Sequence, residues 1–425
     1  MTLLAAVALI ILLITLVLFA TSIVPTPITA LMSSLAMCLV GITSPSEFAS
    51  GFSNTVTIFC FGLGVVGSAM SETGSTMLLG KAILSRVKLS ERWTLVVLII
   101  VASVFSMFLS NTSVVIIFMS ISAAMAASSG GRITKKNTYM AMGFAAVAGG
   151  GCTLIGSTTQ LGINAILPDL GVEQLSMFCF MGPGLGVVIL LVLYYATIGY
   201  KRQLKYFNFV ETESAHAEAN EGQKVQNPVK TWLPLIVLIV CIVLTATEAL
   251  NIAVIGILGA VLVVLCGSIS VKRMWATTDW NTLAVIAGGV GMAAGVQNSG
   301  ACDLAASWLV SLIGDGAPAM VYFAMFVVFA TVMTNIMPNI STAMVLTPIA
   351  IATANTMGFN TLPFIIGVIW GANMPFSTPI GASVITMTMQ AGYRFGDYVK
   401  VGLPYNIMAC ISVVALTPLF FPLVG

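Results

Sequence analysis

Charge is what this sequence lacks most: only 7% of its 425 residues are Asp, Glu, Lys or Arg, and there is a single histidine, His216. So little charge cannot solvate the surface of a soluble domain of this size. The net charge of +2, with no basic stripe interleaved with aromatics, excludes a nucleic-acid partner. The eight cysteines (Cys38, Cys60, Cys152, Cys179, Cys241, Cys266, Cys302 and Cys410) contain no CxxC pair. They read as small buried hydrophobes rather than zinc ligands or a disulfide framework. No His, Cys or carboxylate constellation falls inside an apolar segment, which argues against a membrane enzyme. The first twenty residues carry no basic group, so they are expected to form a first transmembrane helix rather than a secretory signal.

What is abundant is apolar length. The chain is 58% hydrophobic with a mean hydropathy of +1.06, the composition of an all-α polytopic membrane protein. Spans are expected near 3–20, 28–42 and 53–71, then a broken unit at 93–128, a broken helix at 138–168 and a helix at 177–200. The second half gives 231–249, 251–270 and 279–299, a broken unit at 318–357, a broken helix at 359–390 and a helix at 403–424. Threading these alternately leaves every Lys and Arg on the cytoplasmic side, with Glu47, Asp169, Glu173, Glu248, Asp303 and Asp315 outside. Both termini are then extracytoplasmic, the polar linker 201–230 is cytoplasmic, and the site of action is the cell membrane. The segments near 75–90 and 301–314 read as interfacial amphipathic helices.

The broken units centre on Ser110-Asn111-Thr112 and on Pro338-Asn339-Ile340-Ser341-Thr342. A break at membrane depth is tolerated only where it is buried in protein or lines a cavity. Each arm of the first unit has about 16 residues, roughly 24 Å of helix against about 30 Å of hydrocarbon, so the units are expected to be re-entrant hairpins. Three marks recur at similar spacing: Glu72-Thr73-Gly74 with Asn298-Ser299-Gly300, Asn111 with Asn339, and Gly156 with Gly381, at 226, 228 and 225 residues. Two repeats follow, 1–200 and 231–425, each with scaffold helices (1–92, 231–317) and a hairpin with a broken helix (93–200, 318–425). An odd number of crossings per repeat inverts the second against the first, for about ten transmembrane helices plus two hairpins, the plan of secondary transporters.

The residue types at these breaks suit two ligands side by side. Helix N-termini at mid-membrane favour a small anion, while unwound carbonyls, an Asn amide oxygen and Ser or Thr hydroxyls favour Na⁺. No Lys, Arg or His falls inside an expected span, which favours Na⁺ coupling or uncoupled exchange over a proton-driven pump. The Gly149-Gly150-Gly151 run followed by Gly156-Ser157 reads as an unwound binding loop.

The chain resembles the divalent anion/sodium symporters of the ion transporter superfamily. The likeness rests on Ser110-Asn111-Thr112, on Gly149 to Ser157, on Asn339 with Ser341-Thr342, on Thr378-Pro379-Ile380-Gly381 and on Gly392 to Pro404. It covers nearly the whole chain, apart from an N-terminal helix that many members carry. The resemblance implies a first Na⁺ among Ser106, Ser110, Asn111 and Gly156. A second would lie among Thr334, Met337, Asn339, Gly381 and Ser383, with Met337 and Gly381 acting through their carbonyls. It implies substrate contacts from Ser110, Asn111, Thr112, Asn339 and Ala382, a di- or tricarboxylate substrate, and a homodimer. The chain departs from the pattern at Pro338-Asn339-Ile340, at Ala382-Ser383 and at Ser157-Thr158-Thr159-Gln160, where hydroxyls or a Pro-Pro-Asn run are usual. These departures leave open a Na⁺-independent exchanger or permease for another anion, such as sulfate.

Overall fold

Short-range capping chemistry decides where most helices begin. Ser44 and Glu47 cap one helix reciprocally, Asn54, Asn251, Asp279 and Asn360 each accept from a first-turn N–H, and Gly74 and Gly300 end two helices with φ of 73° and 71°. The computed structural model describes residues 3–75, 90–129, 131–209, 228–314 and 316–424. The first series is α1 Leu3–Thr21, α2 Thr26–Leu39, α3 Pro45–Ser53, α4 Thr55–Thr73, α5 Glu91–Ser106, α6 Asn111–Ser128, α7 Lys135–Gly150, α8 Thr158–Ile166 and α9 Met181–Tyr206. The second is α10 Pro228–Ala246, α11 Ile252–Leu265, α12 Val271–Thr277, α13 Trp280–Ser299, α14 Ala301–Ile313, α15 Ala319–Thr334, α16 Asn339–Met357, α17 Thr361–Ala372, α18 Ser383–Thr388 and α19 Phe395–Phe420. No strand occurs among the described residues.

The order of helices in the first series returns in the second. α1 and α10 have 19 residues each, α2 and α11 have 14, α5 and α15 have 16, and α9 and α19 have 26. The packing pairs recur too. α4 lies on α11 and α2 on α13; α5 and α6 pack on α7 as α15 and α16 pack on α17; α8 touches α16, and α18 touches α6. Among the described residues, five helical stretches are long and apolar enough to cross a membrane: Leu3–Thr21, Pro45–Thr73 (α3 with α4), Met181–Tyr206, Asn339–Met357 and Phe395–Phe420. Large aliphatic side chains are exposed along the outer helices, among them Ile10, Leu13, Ile236, Val254, Ile407 and Ile411, a surface suited to lipid. The protein is an all-α, multi-pass membrane protein.

Where helices meet at the centre, backbone touches backbone. A Cβ on Gly62 of α4 would stand 2.1 Å from the Gly256 carbonyl of α11, and one on Gly288 of α13 would stand 2.6 Å from the Ala30 carbonyl carbon of α2. Small residues permit such approach in a medium that gives helices no hydrophobic reason to associate. Gly62→Leu is therefore expected to destabilise the protein by about 1–3 kcal/mol through overpacking, read as a lower Tm, whereas Gly64→Ala, with nothing within 4 Å, leaves it unchanged.

Three features depart from the sequence expectation. The short helices α3 and α12 were not foreseen, although Ser44-Pro45-Ser46-Glu47 spells a capping box. α19 begins at Phe395 rather than near 403, because the Arg394 N–H finds the Asp397 carboxylate at 2.8 Å and starts the helix inside a charged segment. Near 301–314, where an interfacial helix is expected, the structure has the helix α14. Its counterpart near 75–90, Asp315, and 210–227 of the linker, with His216, lie outside the described residues.

Candidate functional site

The break between α5 and α6 meets the break after α7. Ser106 ends α5 and Asn111 opens α6, so the chain turns back on itself within five residues and brings both side chains to one point. Ser106 Oγ donates to the Ala146 carbonyl of α7 at 2.7 Å and stands 2.7 Å from Asn111 Oδ1. Asn111 Oδ1 also lies 3.0 Å from the Ala146 carbonyl oxygen and 3.0 Å from that of Gly156. Four oxygens thus converge with one hydroxyl proton among them.

The second break repeats this arrangement. Thr334 ends α15, Asn339 opens α16, and Thr334 Oγ1 donates to the Ala372 carbonyl of α17. Asn339 Oδ1 is 2.8 Å from Thr334 Oγ1, 2.8 Å from the Gly381 carbonyl and 3.2 Å from that of Ala372. The Asn339 N–H donates to the same Gly381 carbonyl at 3.2 Å, which holds the tip of α16 on the loop after α17. Close approach requires glycine in both nests. A Cβ on Gly150 would stand 2.1 Å from Asn111 Oδ1, and one on Gly381 would stand 1.9 Å from the Thr334 carbonyl.

Clustered acceptors of this kind repel one another unless something positive lies among them. Two arrangements remove the repulsion. Each Asn amide can turn its NH2 inward and donate to all three oxygens, or a small cation can share the oxygens with the amide turned outward. The donor set is carbonyl, amide and hydroxyl oxygen with no carboxylate, sulfur or imidazole, which fits a hard monovalent cation such as Na⁺ better than a divalent or transition metal. Among the described residues, no group of three or more His, Cys, Asp or Glu stands together.

Other residues named from the sequence lie on the same breaks and loops. Ser110 is exposed, and its hydroxyl caps α6 by accepting from the Ser113 N–H at 3.3 Å. Thr112 and Ser383 are exposed, Ala382 is half-buried, and Met337 is 1% exposed. Pro338 gives α16 no side-chain cap, so the first-turn amides of that helix have no intrahelical or capping acceptor apart from the Asn339 contact. Ile340 packs against α8, where a Cβ on Gly162 would meet its Cδ1 at 2.9 Å. Sequence reasoning missed the carbonyls of Ala146 and Ala372, because a backbone oxygen leaves no mark in side-chain identity. It also gave no role to Asn335, whose amide donates to Thr331 and Met374 carbonyls and whose Oδ1 accepts from the Ser377 N–H, stitching one loop to the other.

The family model for citrate transporters matches residues 16–245 and 242–424. The chain belongs to this family. A citrate-transporter-family protein is a membrane transporter and not an enzyme. An uncharacterized transporter of Haemophilus influenzae is 24% identical over 411 residues, covering 91% of this chain and 86% of that protein. The sodium-dependent dicarboxylate transporter SdcS of Staphylococcus aureus is 22% identical over 437 residues, covering 95% and 84%. The uncharacterized transporter YfbS of Escherichia coli is 30% identical over 186 residues, 44% of this chain, and the match spans only 30% of that protein's length. Among solved structures, Neisseria gonorrhoeae MtrF, described as one of a class of antimetabolite efflux pumps, has a TM-score of 0.64 at 15% identity over 89% of this chain and 84% of that one. The Alcanivorax borkumensis YdaH transporter has a TM-score of 0.61 at 14% identity, covering 91% and 87%. Both likenesses concern the fold.

Proposed function

We propose that this citrate-transporter-family protein moves a small anion, a di- or tricarboxylate, across the cytoplasmic membrane together with Na⁺ by alternating access. The observation that carries this reading is the pair of equivalent, uncharged oxygen nests at the tips of α6 and α16. Na⁺ held there would bring positive charge beside two helix N-termini, where no Arg or Lys supplies it, and so create the field that an anionic substrate needs. The uncapped N-terminus of α16 offers N–H donors to a carboxylate oxygen. The sodium-dependent dicarboxylate transporter among the relatives supports the same reading.

In this proposal 1–200 and 231–425 are inverted repeats joined by a cytoplasmic linker, and the termini are extracytoplasmic. Several contacts support that threading. Glu72 pairs with Arg273, Arg202 donates to the Lys400 carbonyl at 2.7 Å, and Glu47 accepts from Asn298 at 3.0 Å, each pair being assigned to one side by the charge map. α1–α4 and α10–α14 form the scaffold, through which two copies would associate as a homodimer. The hairpin-bearing parts move against it.

Purified protein in proteoliposomes is expected to take up labelled succinate or citrate at least tenfold faster with an inward Na⁺ gradient than with K⁺ in its place. Equal uptake in K⁺ would favour the exchanger or permease reading. Preference for sulfate over both carboxylates would match the hydroxyls that Pro338 and Ile340 replace.

A further inference from the structure

Between the two nests runs a chain of buried amides. Gln160 of α8 is fully buried, and its Nε2 donates to the Gly151 carbonyl at 2.9 Å and reaches that of Gly150 at 3.4 Å. Asn373, 1% exposed at the end of α17, donates from Nδ2 to Gln160 Oε1 at 3.1 Å. Asn373 Oδ1 accepts from Ser157 Oγ at 3.3 Å and from Asn339 Nδ2 at 3.5 Å.

The direction of this chain is fixed at one end. Backbone carbonyls only accept, so those of Gly150 and Gly151 require the NH2 of Gln160. That leaves Gln160 Oε1 to face Asn373, which must answer with its own NH2 and therefore presents Oδ1 to Asn339. Asn339 meets that oxygen with its NH2, and its Oδ1 is then turned into the nest of Thr334, Ala372 and Gly381. Such an orientation suits a cation; the alternative, with the NH2 in the nest donating at 2.8–3.2 Å, would set the Asn339 and Asn373 amide oxygens against each other about 3.5 Å apart. The fixed end lies beside the other nest, because a Cβ on Gly150 would touch Asn111 Oδ1. No described side chain accepts from Asn111 Nδ2, so the first nest has no equivalent of this restraint.

We infer that Gln160 and Asn373 are positioning residues: they hold the Asn339 carboxamide in its cation-binding orientation and couple the second nest to the backbone that walls the first. The inference rests on the Na⁺ reading above and adds to it a route by which filling one nest favours filling the other. Residues on both sides of the chain are needed, Gln160 from α8 and Asn373 from α17.

The test is Na⁺-dependent thermal stabilisation of the purified protein, titrated against choline at constant ionic strength, for wild type, Gln160→Leu, Asn373→Leu and Asn373→Asp. Loss of one buried hydrogen bond predicts a half-saturating Na⁺ concentration on the order of tenfold higher, with a flatter Hill slope, in both leucine variants. Asn373→Asp keeps an acceptor facing Asn339 and adds negative charge near the nest, so its half-saturation stays at or below that of wild type. Folded leucine variants that titrate like wild type would overturn the inference, as would an Asp variant shifted as far as the Leu one, since packing alone would explain that. If Asn373→Leu does not fold, Gln160→Leu decides. A wild type that Na⁺ does not stabilise instead removes the Na⁺ reading itself, and the relay's role with it.

Discussion

Asn111→Ala and Asn339→Ala are each expected to reduce Na⁺-driven uptake by about 100-fold or more while leaving a folded protein. Each Asn supplies the one side-chain oxygen at its nest that is not already the donor of a hydrogen bond: Ser106 and Thr334 both donate to helix carbonyls. An interaction with a charged partner is worth roughly 1.5–3 kcal/mol, or about 10- to 150-fold in affinity, and its loss leaves the remaining buried acceptors facing one another. Both side chains are only half-buried, so truncation opens no large core cavity and Tm without Na⁺ should change little. Uptake into proteoliposomes, paired with size-exclusion profiles, checks this. Normal transport by either variant would remove that nest from the mechanism.

The second large effect is expected from single methyl groups. Gly381→Ala would set a Cβ 1.9 Å from the Thr334 carbonyl and 2.5 Å from Pro375 Cβ, and Gly150→Ala would set one 2.1 Å from Asn111 Oδ1. The first obstacle is backbone and the second an Asn amide hemmed in by three oxygens, so the Thr334 carbonyl or the Asn111 amide must shift and the nest with it. Overpacking of this kind costs about 1–3 kcal/mol in stability. The larger consequence is for the nest, whose other oxygens each lie within 3.2 Å of the Asn amide atom turned toward them. Uptake should fall about as far as in the Asn variants, whereas Gly67→Ala, which meets nothing within 4 Å, should transport normally. An active Gly150→Ala would mean that the first nest tolerates distortion and is not a coordination site.

Much of this arrangement was readable before the structure. Hydrophobic length identified the long helices, and Asn111 and Asn339, polar at corresponding depths, marked the breaks. What stayed hidden had physical causes. The carbonyls of Ala146 and Ala372 belong to apolar residues and carry no signature. Ser beside Asn suits either a ligand or a helix cap, and sequence alone does not separate the two; in the structure the Ser110 hydroxyl caps α6. α3 and α12 are too short to leave a hydrophobic stripe, and the start of α19 was obscured by Arg394, Asp397 and Lys400, which occupy its first turns. Gln160 had stood out only as a departure from a familiar pattern. Its role became legible when folding set it against Asn373, 213 residues away.

The packing of α8 on α16 and of α18 on α6 has a mechanical meaning. Each tip is held by a short helix from the opposite half, and Ile340 seats directly on α8 at Gly162. In the alternating access proposed above, neither tip could swing without carrying its neighbour, and the pair would travel as one piece, like interlocked fingers. Both nests would then open to the same side of the bilayer together, which disfavours a half-open state with only one of them accessible.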